Sequence, residues 1–228
     1  MKNILTSLFV FFLVIAVINT AEANLIQNGS FETPEIDGDE ADTNNTISPG
    51  GQGGSSWTVF NQIDGGWTTN SGQGIEIQEN GTVSGISTTF GDQYVELDSH
   101  PTPGDTKMGQ LVNLSVGSYE LSFYYIPRTN DANGTNGIRY GYDDTTLGYT
   151  LFSNSWVQYS SIFSVATAGD HNIWFQSFGS LSDFAADADT VGGFIDNVVL
   201  NPVPEPATML LFGTGLIGLA GLTRRKKK

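Results

Sequence analysis

Apolar and polar residues alternate through the middle of the chain. Tyr119, Leu121, Phe123 and Tyr125 alternate with Glu120, Ser122 and Tyr124; His171, Ile173 and Phe175 alternate with Asn172, Trp174 and Gln176. Val157, Tyr159 and Phe163 share one face of a further segment, and Phe194, Val198 and Leu200 are expected to share one face of the last. A period of two marks strands with one buried face. Residues 57–60, 75–77, 94–97, 110–114 and 138–142 form shorter strands of the same kind. Turn formers such as Asn80-Gly81, Gly117-Ser118 and Gly169-Asp170 separate them. No stretch of this region sustains a helical period. Many short strands punctuated by turns predict an all-β fold, an antiparallel β-sandwich of jelly-roll type. Residues 35–56 read as a surface loop, 128–137 as a hairpin tip and 181–191 as a loop with three aspartates. The segment Asp64-Gly65-Gly66-Trp67-Thr68-Thr69-Asn70 also has a loop-like composition.

The two ends follow other rules. Lys2, an apolar run from Leu8 to Ile18, and Ala21-Glu22-Ala23 form the charge, core and cleavage site of a secretory signal over residues 1–23. That leaves residues 24–202 as one domain, long enough for a sizeable core. The other end reads Pro204-Glu205-Pro206, an apolar stretch at 207–222, then Arg224, Arg225, Lys226, Lys227 and Lys228. As a helix the apolar stretch would rise roughly 24 Å, slightly under a hydrocarbon core of about 30 Å. The basic cluster would stay cytoplasmic and place the domain outside. Motif, apolar segment and basic stop in this order resemble the PEP-CTERM sorting signal. The resemblance covers residues 203–228 and implies recognition by an exosortase, a transient stay in the inner membrane, and delivery to the cell surface or extracellular matrix. An ordinary single-span anchor is the alternative.

Composition narrows the chemistry. The chain has no cysteine, which excludes disulfides, thiol catalysis and thiolate metal sites. Leaving aside Glu22 and Glu205, 22 of its 24 acidic residues lie in the central domain, against only Lys107, Arg128 and Arg139. Such a surface repels phosphate backbones and argues against nucleic-acid partners. It attracts divalent cations, although acidity also serves solubility. No G-x-S-x-G, H-E-x-x-H or P-loop pattern occurs, and no local motif selects a carboxylate pair for glycosidase chemistry.

A second resemblance spans most of the domain. The opening Asn24-Leu25-Ile26-Gln27-Asn28-Gly29-Ser30-Phe31-Glu32, then Tyr94-Val95-Glu96-Leu97, Gln110, the strand at 117–123 and the closing Gly193-Phe194-Ile195-Asp196-Asn197-Val198 occur in that order. They resemble galactose-binding-like jelly rolls, a group that includes carbohydrate-binding modules and DUF642-type domains. The resemblance implies a structural calcium held by Glu32 and Asp196, with backbone carbonyls completing a shell of six to eight oxygens. The alternative is that both residues cap turns. Trp67, Tyr124, Arg128 and Tyr142 are candidates for a glycan surface; the alternative is that such rings are core. The expected function is non-catalytic binding of extracellular polysaccharide in an exopolysaccharide or biofilm context. A structural or adhesive module that binds proteins is the second reading, and a glycan-active enzyme the third.

Overall fold

The computed structural model describes residues 24–36, 53–54, 56–83, 85–98, 106–128, 136–150, 152–178 and 191–203. Outside them lie the signal segment 1–23, most of the expected loops at 35–56, 128–137 and 181–191, the Pro204–Glu205–Pro206 motif, the apolar stretch 207–222 and the basic stop. Among the described residues no helix is long and apolar enough to cross a membrane.

The alternating segments form the strands expected of them, in the order β1 (Gly53–Gly54), β2 (Trp57–Phe60), β3 (Gln62–Ile63), β4 (Trp67–Ser71), β5 (Ile75–Glu79), β6 (Gln93–Leu97), β7 (Lys107–Leu114), β8 (Gly117–Pro127), β9 (Gly137–Tyr142), β10 (Thr145–Tyr149), β11 (Val157–Val165), β12 (Gly169–Phe178) and β13 (Gly193–Pro202). All pairings among them are antiparallel. One sheet has the order β1-β2-β5-β6-β13-β8-β11 and the other β10-β9-β12-β7-β4-β3. From β6 onward the chain changes sheet at almost every connection, as a jelly roll does. The inner faces meet in a single apolar core that includes Leu121, Phe123 and Tyr125 from one sheet and Ile138, Ile173 and Phe175 from the other. Removing these side chains from water is the main driving force for folding.

Two expectations need correction. Phe194 does not share a face with Val198 and Leu200. It lies on the outer side with Tyr94, ring centroids 4.9 Å apart, while Ile195, Val198 and Leu200 face the core. The cause is a register shift between Asp196 and Val199, where Asn197 adopts a φ of 49°. One extra residue in a strand reverses the facing of everything beyond it.

Trp67 is not in a loop and cannot face a ligand. Asp64–Gly66 make one 3-10 turn, with Gly65 and Gly66 at φ 81° and 82°, and the chain then enters β4. Trp67 is fully buried against Phe31 and Phe175, and its indole N–H donates to the carbonyls of Gln27 and Asn28. The fold therefore uses this ring to dock the opening segment onto the six-stranded sheet.

Trp67→Ala should cost about 3–5 kcal/mol in urea denaturation, the usual loss for a fully buried large aromatic. A loss below about 1 kcal/mol would show that the ring is not structural.

Candidate functional site

The opening segment brings the first predicted pair together. Asn24 bonds to Val198 and Leu200 on β13, and the Leu25 amide donates to the Leu200 carbonyl. Gly29 is needed there because a Cβ would sit 2.1 Å from the Val198 carbonyl oxygen. The Phe31 backbone has a φ of 58°, a costly conformation for a bulky residue. It precedes Glu32, whose carboxylate accepts from the backbone amides of Asp92 and Gln93 at 3.1 Å. Asp196 is fully buried and accepts from the Thr88 hydroxyl and, at 2.6 Å, from the Asn197 amide. Burial lifts its carboxyl to about 7, and the nearby Glu32 charge adds to the rise. Left-handed residues thus adjoin both carboxylates, and the two groups repel each other across a small distance.

A cavity of about 450 Å³ lies beside Glu32, lined also by Glu35, Glu79 and Asp92. Among the described residues there is no group of three or more His, Cys, Asp or Glu side chains arranged to hold a metal. A calcium at Glu32 and Asp196 would therefore need most of its ligands from backbone or hydroxyl oxygens. The buried Asp196 carboxylate and the partly exposed Glu32 that repels it fit a cation in charge.

The glycan candidates separate. Tyr124 lies on the outer face of the seven-stranded sheet, its ring 4.3 Å from that of Phe90. Arg128 is on the same face but is committed to Glu96, Nη1 to Oε1 at 2.7 Å. Glu96 also accepts from Gln78 and from the Gly192 amide, and Gln78 reaches the cross-strand partner Glu76. Burial and then Glu76 raise the Glu96 carboxyl well above the usual range, and Arg128 opposes both. This cluster is an internal charge network, not an open surface. Tyr142 is elsewhere: it stacks on Phe163 at 4.3 Å and its hydroxyl donates to the Ser164 carbonyl, closing one rim of the sandwich. Of the chain's two histidines, His171 bonds Asp143 at 2.7 Å, and His100 lies outside the described residues.

The outer face of the six-stranded sheet offers a surface that sequence reasoning missed. Pairing registers place Lys107 opposite Gln176, Gln176 opposite Arg139, and Arg139 opposite Tyr149, on β7, β12, β9 and β10 in turn. With strands about 4.8 Å apart, the row is roughly 14 Å long. Core facing of Met108, Ile138, Ile173 and Phe175 requires these four residues to point outward. The next row has Trp174 between Gly109 and Gly141. A Cβ at Gly141 would come within 2.5 Å of the indole, so the glycine lets the ring lie down on the sheet. Lys107 covers it, Nζ 4.1 Å from the ring centroid, and the indole N–H donates to the Asp143 carbonyl. Arg139 Nη2 and Nε hold the Gln176 amide oxygen at 2.8 and 3.1 Å. Tyr149 is 38% exposed at the end of the row. The available signal was charge: two of the three central cations occur here, Lys107 just before the expected strand 110–114 and Arg139 within the expected strand 138–142.

No curated protein matches the chain in sequence. Residues 202–226 match the PEP-CTERM protein-sorting motif. The match includes Pro204, Glu205, Pro206, Arg224, Arg225 and Lys226, and it implies export and exosortase-dependent sorting. Among solved structures, the chain is similar to TmCBM61 in complex with β-1,4-galactotriose, at 15% identity over 79% of this chain and 99% of that one, TM-score 0.45. It is similar to a family 35 carbohydrate binding module from Clostridium thermocellum, at 15% identity over 64% and 92%, TM-score 0.37. It is also similar to the enzymatically active domain of tailspike protein 4 of bacteriophage CBA120, at 15% identity over 79% and 21%, TM-score 0.42. The question of a ligand rests on this chain's own surface.

Arg128→Met should destabilise the protein by about 3–5 kcal/mol in urea denaturation, because it strands buried Glu96 without its cation. The raised Glu96 carboxyl favours the protonated folded state, so this contribution is present at acid pH and is lost as pH rises. The deficit of the variant should accordingly be smallest at acid pH, where Glu96 is protonated with or without Arg128, and grow as pH rises through the raised Glu96 carboxyl; a pH-independent deficit would contradict the assignment.

Proposed function

We infer that this is an exported, non-catalytic glycan-binding protein, sorted to the cell surface by its C-terminal motif, with its binding face on the outer side of the six-stranded sheet. The observation that carries the reading is the row Lys107–Gln176–Arg139–Tyr149, with Trp174 beside it. Polar forks next to the exposed Tyr149 ring suit sugars, which present hydroxyls at the edges and C–H groups on the faces of the ring. The row, roughly 14 Å long, is long enough to meet more than one sugar unit. The neighbouring TmCBM61 structure holds β-1,4-galactotriose, which agrees with the class without naming this chain's sugar. The nearest carboxylate pair in the seven-stranded sheet, Glu76 and Glu96, is buried and bonded to Gln78 and Arg128, an arrangement unsuited to glycosidase chemistry. An exopolysaccharide matrix is the setting that the sorting motif and this face suit together.

The same reading gives Glu32 and Asp196 the task of holding a structural calcium that ties the opening segment to β13. The cation would supply the positive charge that the buried Asp196 lacks. No catalytic step involves it.

In affinity electrophoresis against a polysaccharide panel, the protein should be retarded by at least one polymer, and Tyr149→Ala should weaken that binding about three- to tenfold, the worth of one ring contact. Unchanged migration on every polymer, with calcium present, would overturn the reading. For the calcium site, addition of EDTA should lower the melting temperature. Asp196→Asn should abolish the calcium-dependent shift, yet melt no lower than the wild type in EDTA at pH 8. The sign follows from the raised carboxyl: its folded value of about 7 exceeds the ordinary 3.8, so ionising it above pH 7 opposes folding. An EDTA-insensitive melt of the wild type would remove calcium from the account.

A further inference from the structure

We propose that the Lys107–Gln176–Arg139 row takes the carboxylate of an acidic sugar residue, so that the glycan bound on this face is a carboxylated polymer. This rests on the glycan reading of the same face and names its substrate class.

The first reason is the one-sided hydrogen-bonding character of the row. Lys107 carries only donors, and so does Arg139. Gln176 has one acceptor oxygen, and Arg139 occupies it through two N–H groups. The amide nitrogen of Gln176 is thereby turned away from the guanidinium. These three side chains thus offer donors, and their one acceptor oxygen is engaged. A neutral sugar hydroxyl both donates and accepts, and these three side chains leave its proton no free acceptor. A carboxylate accepts only, at up to four lone-pair positions, and charge-assisted bonds to it are about twice as strong as neutral ones.

The second reason is the placement of charge. The central domain has three cations among 22 carboxylates, yet Lys107 and Arg139 flank one residue on the same face. Among the described residues neither forms a salt bridge with a carboxylate; Asp144 is the acidic group near enough to influence Lys107. Burial and then the Arg139 charge lower the Lys107 ammonium from its ordinary value, so the two cations disfavour each other in the free protein. An anion between them reverses that cost. Stability alone would place each cation beside one of the abundant carboxylates, as Arg128 is placed beside Glu96.

The third reason is the neighbouring ring. Lys107 lies over Trp174, which fixes the ammonium on the sheet surface instead of leaving it free in solvent. Its stem is half-buried and its reach is set before a ligand arrives, which reduces the ordering cost of binding.

The test uses the full chain, calcium present, and titration calorimetry with polygalacturonate, alginate and hyaluronan, each beside its carboxyl-reduced form. At least one native polymer should bind, and reduction of its carboxyl groups should weaken binding tenfold or more. Raising salt from about 0.1 to 1 M shortens the screening length from about 10 to 3 Å, so the native polymer should also bind several-fold more weakly. Lys107→Gln and Arg139→Gln should each reproduce the loss on the native polymer while their melting temperatures stay within a few degrees of wild type. Equal binding of native and reduced polymers overturns the carboxylate and leaves the glycan reading intact. Binding of the native polymer that survives both substitutions overturns the site. Binding to neutral polymers alone overturns the carboxylate proposal, and binding to no polymer of either kind overturns the glycan reading with it.

Discussion

The bulge at Asn197 is the feature on which the rest of the arrangement depends. β13 lies between β6 and β8 in the seven-stranded sheet, so its facing controls both sides. Before the bulge Ile195 enters the core while Phe194 and Asp196 turn outward; after it Val198 and Leu200 enter the core. A regular strand would send Asp196 and Val198 to the same side and bury a carboxylate among aliphatic side chains. The bulge also frees the Val198 amide, which donates to the Gly29 carbonyl at 2.8 Å. The opening segment docks at this irregularity, and Glu32 reaches the neighbourhood of Asp196 as a consequence. In a chain without cysteine, this docking fastens the first residues of the domain to the last strand, 174 positions away from Asn24 at Val198.

Strand existence was legible because burial on one face imposes a period of two. β8 and β12 follow it, with Ile173 and Phe175 of β12 in the core as their alternation suggested. What alternation cannot register is a change of phase. Phe194 was placed with Val198 because nothing in the residue types of Asp196-Asn197-Val198 marks a bulge, although Asn is among the residues that accept a left-handed backbone. Trp67 was misplaced for a different reason. The glycines before it fit a loop, and β4 is short, so the alternation of Trp67 and Thr69 with Thr68 and Asn70 spans too few residues to outweigh them. β10 was missed likewise: Thr145–Tyr149 is short and carries a register shift at its centre.

The candidate sites were less legible because they are set by register between strands distant in sequence. Glu32 and Asp196 came from motif order, and the fold does bring them within electrostatic reach. Tyr124 and Arg128 do share a face, but Arg128 is taken up by a buried carboxylate. The row on the six-stranded sheet joins residues from β7, β9, β10 and β12, and no local pattern connects Lys107 with Tyr149. Its trace in the sequence is a contrast, two cations on outward positions in a strongly acidic domain. Arg128 shows the other use of a cation here. It lies inside and offsets Glu96, whereas Lys107 and Arg139 lie outside and form no salt bridge with a described carboxylate.

The sorting motif begins where the sheet ends. β13 closes at Pro202, the motif match starts at residue 202, and the Val203 amide still donates to the Ser118 carbonyl at 2.7 Å. Ser118 lies at the start of β8, so this end of the sandwich is the one formed by the β7–β8 turn, where Val116 is 66% exposed. The proposed binding row runs across β7, β12, β9 and β10 through Lys107, at the far end of β7 from Leu114 and the turn. An eight-residue strand at about 3.4 Å per residue separates Lys107 from that turn by roughly 24 Å. The fold thus puts Val203, the last described residue, and the proposed glycan face at opposite ends of one strand.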